Sequence, residues 1–222
     1  MKANVQKKKI TGNGFLLLIT IALFVVMYVA GMIVFADKGF AKPQMFLNLF
    51  VSNAGLLVIA CGLTIVMITG GIDISVGSVT ALVCMVLADL MENKGVNAYA
   101  AVLVALLIGV AFGIVQGFLV AYLDIQPFIV SLAGMFFARG MTTIVNTNPF
   151  NVANEQFVAL KDTRITIPGM GSVNKLGNYV NAYIEIGVVV ALLVVILLFC
   201  VLRFTKFGRK FYAVGGNSQS AL

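Results

Sequence analysis

The chain has 222 residues, of which 61% are hydrophobic and 10% charged, and its formal net charge is +7. Soluble domains carry nearer a quarter charged residues, so an ordinary soluble domain is excluded and most of this carbon must face lipid or other apolar helices. Nor does the positive charge indicate nucleic acid. Lys2, Lys7, Lys8 and Lys9 precede the first apolar run and Arg203, Lys206, Arg209 and Lys210 follow the last. Charge so placed flanks membrane spans and sets their orientation, and no soluble stretch is long enough to build a basic face.

About 20 apolar residues cross a bilayer as a helix. Six runs come near that length: 14–35, 46–69, 74–91, 98–122, 128–145 and 183–202. They predict an all-α integral membrane protein of about six transmembrane helices, with a Gly-rich helix break near residues 70–78. A basic cytoplasmic stretch, 1–13, precedes the multi-pass region 14–202, and a cytoplasmic segment, 203–222, follows it. The first run is too long for a signal-peptide core and is followed by no A-x-A cleavage pattern, so it is read as a retained span. The third and fifth runs are the shortest and leave room for partial re-entrance. Pro43 and Pro127 fall where helices start.

With the amino terminus inside, an even number of crossings returns Arg203–Lys210 to the same side, placing two basic clusters in the cytoplasm. Tyr99 and Tyr122 mark the two ends of the fourth span, as interfacial aromatics do. The same topology leaves one long external connection, about 146–182, with turn signals at Asn148-Pro149 and Pro168-Gly169 and a short β-prone run, Arg164-Ile165-Thr166-Ile167. A docking surface for an external partner and a solvated lid both fit a loop of that length.

The most informative stretch is Gly70-Gly71-Ile72-Asp73-Ile74-Ser75-Val76-Gly77-Ser78. Backbone that leaves helical geometry inside lipid must be covered by protein or line a cavity. An acidic residue there is by default a functional-site hypothesis. One reading is a well-made turn, in which the glycines end one helix and Asp73 or Ser75 caps the next. The other places Gly70, Gly71, Asp73, Ser75, Gly77 and Ser78 on the translocation path or its gate. Both stay open on these residues alone.

In the fourth span Ala101, Ala105, Gly109, Gly113, Gly117 and Ala121 recur every four residues, a ridge read as a helix–helix seam centred on Gly109, Gly113 and Gly117. Gln116 beside it is expected to make an interhelical hydrogen bond. Arg139 lies within the fifth span, where a guanidinium must be paired, hydrated or snorkelling. Asp73, Asp89 and Gln116 are its conceivable partners. Asp89 and Glu185 fall near span ends, where interfacial exposure is expected. Cys61, Cys84 and Cys200 are isolated from one another and read as small hydrophobes between helices. With no histidine in the chain, neither a metal site nor a familiar nucleophile–base pair is expected. There is no phosphate-binding loop of the Gly-x-x-x-x-Gly-Lys-Ser/Thr type, and no cofactor is expected.

Three motifs in order carry a resemblance. The 70–78 stretch resembles the Gly-Gly-Ile-Asp-Leu-Ser-Val-Gly-Ser hallmark of permease subunits in bacterial ABC importers for ribose, xylose, galactose and related sugars. Ile125-Gln126-Pro127-Phe128-Ile129-Val130-Ser131-Leu132-Ala133-Gly134-Met135, leading to Arg139-Gly140, is similar to that family's Ile-Pro-x-Phe-Ile-x-Thr-Leu-Gly run and its following Arg-Gly. Thr205-Lys206-Phe207-Gly208-Arg209-Lys210-Phe211-Tyr212-Ala213-Val214-Gly215-Gly216-Asn217 resembles its Thr-x-Phe-Gly-Arg-x-x-Tyr-Ala-Ile-Gly-Gly-Asn. Gln116 and Ser131 stand where the family commonly has Asn and Thr.

The resemblance implies a multi-pass permease of the bacterial inner membrane that moves a pentose or hexose by alternating access. It also implies a second permease subunit, a cytoplasmic ATPase that hydrolyses ATP in its place, and an extracytoplasmic sugar-binding protein. Phe207, Gly208, Arg209, Tyr212, Gly215, Gly216 and Asn217 would lead into the ATPase-coupling helix, although a basic juxtamembrane stretch on anionic lipid fits their chemistry as well. Family members continue beyond the equivalent of Leu222, so a truncated chain is expected. Two alternatives remain: an ion-coupled secondary transporter using Asp73, and a non-transporting membrane fragment.

Overall fold

The computed structural model describes residues 12–148, 150–173 and 177–216. Lys2, Lys7, Lys8, Lys9, Pro149, Lys175 and Asn217, all of which entered the sequence reading, lie outside the described residues.

Among the described residues there are eight α-helices and one hairpin, in the order α1 (Gly12–Val34), α2 (Pro43–Ile68), α3 (Val76–Glu92), α4 (Ala98–Ala121), α5 (Pro127–Val145), α6 (Glu155–Lys161), β1 (Arg164–Val173), β2 (Tyr179–Glu185), α7 (Ile186–Phe204) and α8 (Lys206–Gly216). Pro43 and Pro127 are first helical residues, where the missing N–H costs nothing. Five helices, α1, α2, α4, α5 and α7, are long and apolar enough to cross a membrane. The third of the six expected runs forms a shorter helix, α3. The 17 residues of α3 rise only about 26 Å, short of a hydrocarbon core of about 30 Å. The long connection holds α6 and the hairpin. The sixth expected run begins later than 183 because Tyr183 and Glu185 belong to β2.

The chain divides into two compact units, residues 1–49 with 166–183, and 50–165 with 184–222. In the first, Tyr28 gathers the aromatic rings of Phe24, Phe40 and Phe46, with centroids 6.1, 5.5 and 5.7 Å away. Phe40 lies against Gly31, where a Cβ would stand 3.0 Å from the ring. The hairpin is fastened to the start of α2 by one side chain. Gln44 accepts from the Tyr183 backbone N–H at 2.8 Å and donates to the Tyr183 carbonyl at 3.1 Å, imitating a neighbouring strand. Lys42 adds a bond to the Val173 carbonyl at 3.2 Å.

In the second unit α3 packs along both α5 and α4. Ser75, Ser78, Leu82 and Asp89, three, four and seven residues apart, form its buried face. They meet Val130, Ser131 and Ala138 of α5 and Ala98, Ala101 and Ala105 of α4, which are also buried. Small side chains at these contacts let the helices approach closely. At one end, Met91, Ala98 and Ala101 join Leu87, Leu90, Val96, Val152 and Phe157 in a cluster. Glu92 anchors the approach to α6 by accepting from the N–H groups of Ala153 and Asn154 at 2.8 and 2.7 Å.

Two expectations fail here. Asp89 is buried rather than exposed at an interface, because Asn93 donates to it at 2.7 Å and Lys94 approaches to 3.5 Å. Cys84 of α3 and Cys200 of α7 are exposed, turned away from the other described helices, and Cys61 of α2 is half-buried.

Candidate functional site at the connection between α2 and α3

α2 ends in a glycine-dependent cap. Gly70 has φ +81°, a left-handed conformation that side chains disfavour. Its N–H donates to the Met67 carbonyl at 3.1 Å, and that of Gly71 reaches the Val66 carbonyl at 2.9 Å. This 5→2 and 6→1 pair is a Schellman motif, which satisfies carbonyls the helix would otherwise leave open. Gly71 then passes close to Val66, where a Cβ would lie 3.1 Å from Val66 Cγ1.

Neither Asp73 nor Ser75 caps α3 as expected. Ser75 occupies the cap position, but its side chain makes no capping bond. Asp73 instead folds forward over Ser75. Its Oδ1 accepts from the Ser75 N–H at 2.8 Å and from the Ser75 hydroxyl at 2.7 Å. Hydrogen bonds to a charged group contribute about 1.5–3 kcal/mol each, so the carboxylate holds the chain just ahead of the helix. Its negative charge also stands at the positive end of α3.

Two helices clamp this turn from outside. From α4, the Gln116 amide donates through Nε2 to the Ser75 hydroxyl at 3.0 Å. From α5, the Ser131 hydroxyl lies 3.2 Å from the Ile72 carbonyl and 3.0 Å from the Phe128 carbonyl. Further along, Arg139 donates through Nε to the Ser78 hydroxyl at 3.2 Å. The guanidinium is thus bonded to a neutral serine, not to Asp73, Asp89 or Gln116. Gln116 does make the interhelical bond expected of it.

Gly134 was not legible in the sequence as part of this arrangement. A Cβ at 134 would collide with Gln116 Nε2 and stand 3.3 Å from Phe112 Cε1. Its bare backbone admits the amide to Ser75. The sequence shows it only as one residue of the 125–135 run.

A cavity of about 330 Å³ opens beside the turn, lined by Thr69, Asp73, Gln116, Gly113, Gly117 and Ser131 among others. Nothing in the chain lies within 4 Å of a Cβ built at Gly109, Gly113 or Gly117. Among the described residues, the ridge is therefore packed only at its Ala101 and Ala105 end. Gly77 faces open space as well.

The last helix is joined to the rest by Thr205. Its hydroxyl sits 2.6 Å from the Val201 carbonyl and accepts from the Gly208 N–H at 3.2 Å, closing α7 and opening α8 with one side chain. Gly208 is buried against the Leu202 backbone, and Gly215 lies against the Ile68 carbonyl so closely that a Cβ would collide with it. Phe207, Arg209 and Tyr212 are exposed, and Gly216 faces open space.

The chain is similar in sequence to known transport proteins. A family model described as "Branched-chain amino acid transport system / permease component" matches residues 45–222. The chain belongs to this family of permease components. It is 36% identical, over 92% of its length, to the inner membrane ABC transporter permease protein YjfF of Escherichia coli, and covers 58% of that protein. It is 33% identical over 99% of its length to the fructose import permease protein FruG of Bifidobacterium longum, covering 64% of it. The autoinducer 2 import system permease protein LsrC of Yersinia pseudotuberculosis is 29% identical over 90% of the chain. The chain thus spans about three fifths of the first two relatives. No solved structure matches it.

As a member of this permease family, the chain is a multi-pass membrane protein and not an enzyme. Its family motifs map onto the clamp: the 70–78 stretch supplies the turn, the 125–140 run supplies Ser131, Gly134 and Arg139, and the 205–217 stretch supplies α8. Gln116 and Gly134 meet at the turn although they lie far from it in the chain.

Proposed function

We propose that this permease forms part of the pore of an ATP-driven importer that carries a monosaccharide, pentose or hexose, into the cytoplasm by alternating access. The observation that supports it best is the cavity beside Asp73. Within it the hydroxyls of Thr69 and Ser131 are turned onto backbone carbonyls. Asp73 adds a carboxylate acceptor to the lining, which a polyol with many O–H donors can use. The fructose import function printed for one relative agrees with that chemistry.

In this reading the protein lies in the bacterial inner membrane with its amino terminus cytoplasmic and crosses it about six times, α3 being the shortest crossing. Residues 70–78 form a break on the substrate path, with Asp73, Ser75, Ser78 and Arg139 shaping its gate. A second permease covers the open ridge at Gly109, Gly113 and Gly117. A sugar-binding protein delivers the substrate from outside. The cytoplasmic ATPase bears on the segment from Phe207 to Asn217, through Arg209 and Tyr212. Gly215 against the Ile68 carbonyl carries that movement to the end of α2, two residues before Gly70.

The test is reconstitution in vesicles with the candidate ATPase and binding protein. Sugar-stimulated ATP hydrolysis is expected. Uptake that persists without the ATPase and stops with an uncoupler would overturn the reading in favour of ion coupling.

A further inference from the structure

We infer that the cavity at the α2–α3 connection selects by charge, admitting neutral and cationic solutes and rejecting anions such as phosphate esters. This rests on the proposed substrate path and adds a rule to it. Of the residues lining the cavity, Asp73 alone carries a charge. Its Oδ1 is taken by Ser75, and no described residue bonds to Oδ2.

The positive end of α3 and the arginine of α5 already have acceptors. The N-terminus of α3 attracts negative charge, and Asp73 supplies it. At the start of α5, Pro127 has no N–H, and those of Ile129 and Val130 point to the Gln126 carbonyl. The one arginine nearby, Arg139, does not line the cavity and is engaged by Ser78. Two negative groups a few ångströms apart repel strongly where the walls are of low dielectric. A phosphorylated sugar therefore meets the fixed carboxylate unpaired, whereas the free sugar donates to it.

Removing the charge reverses the preference. Asp73→Asn keeps the size of the side chain but leaves the α3 N-terminus without its anion, so the cavity should become tolerant of negative probes.

The experiment uses the chain in lipid nanodiscs with Cys61, Cys84 and Cys200 replaced by alanine and one thiol introduced by Val120→Cys, a lining position. The probes are a trimethylammonium-ethyl and a sulfonatoethyl methanethiosulfonate. Their rate ratio is referred to that for free mercaptoethanol. The cationic reagent should be favoured by about fivefold or more, and Asp73→Asn should bring the ratio to that of the free thiol or below. Fructose should slow labelling and fructose 6-phosphate should not.

A ratio equal to the free thiol's, or one indifferent to Asp73→Asn, overturns the inference. Thr69→Cys repeats the measurement from another wall if Val120→Cys folds poorly. A raised ratio without protection by fructose upholds charge selection and counts against the monosaccharide reading instead, so the two fail separately.

Discussion

Gln116 reaches Ser75 across the space that residue 134 leaves empty. The amide nitrogen lies 3.0 Å from the Ser75 hydroxyl, and a methyl group at 134 would occupy the amide's position. Three helices meet in that bond: α4 donates, the turn before α3 accepts, and α5 gives way. The Ser75 hydroxyl passes its own proton on to Asp73 at 2.7 Å, so the carboxylate is positioned at third hand by a glycine 61 residues away.

This makes Gly134→Ala and Gln116→Ala members of one double-mutant cycle. Each alone should destabilise the chain by about 1–2 kcal/mol, since each breaks the same buried hydrogen bond. Together they should cost little more than one, because neighbours sharing a partner are not additive. Thermal unfolding in detergent measures the cycle, and simple addition of the two effects would refute the relay.

Asp73→Asn should reduce sugar uptake severely while membrane accumulation stays normal, because the amide keeps the shape of the turn but loses the charge that Ser75 donates to twice. Ser131→Ala, which removes the hydroxyl shared between the Ile72 and Phe128 carbonyls, should have a smaller effect in the same direction. Uptake by Asp73→Asn at the unsubstituted rate would exclude a transport role for the carboxylate.

At the same end of α2, Gly215→Ala should force α8 away from the Ile68 carbonyl. Gly216→Ala faces open space and serves as its control, differing by one position and no contact. The expected outcome is loss of sugar-stimulated ATP hydrolysis in the first and retention in the second, with the complex intact in both. Equal behaviour of the two variants would remove Gly215 from the coupling route.

Gly113→Leu separates folding from assembly. No described residue of another element lies within 4 Å of a Cβ at 113, so the leucine should leave the chain's own stability within about 0.5 kcal/mol. A second permease packed on the ridge would be displaced, since small residues are what allow helices to meet there. Co-purification of differently tagged copies should fall while thermal unfolding of the single chain is unchanged. A large drop in the single chain's stability would show instead that the ridge is packed internally.

The sequence by itself determined the membrane class, the helix positions to within a few residues and the non-helical stretch around Asp73. Hydropathy runs, prolines at helix starts and paired glycines are local signals, and they act through local physics: chain length against bilayer thickness, a missing N–H, a positive φ. Tertiary structure decided what the polar residues do. Arg139 had three plausible acidic or amide partners by type and bonds to Ser78, because one face of α3 lies along α5. Asp89 looked like an interfacial acid and is buried by its own helix end. Gly134 stood in the 125–135 run with no sign of its contact with Gln116, because its function is an absence of atoms that matters only once α4 is beside it. Partner choice among side chains depends on distance and direction between helices, and a single chain's spacing does not encode either.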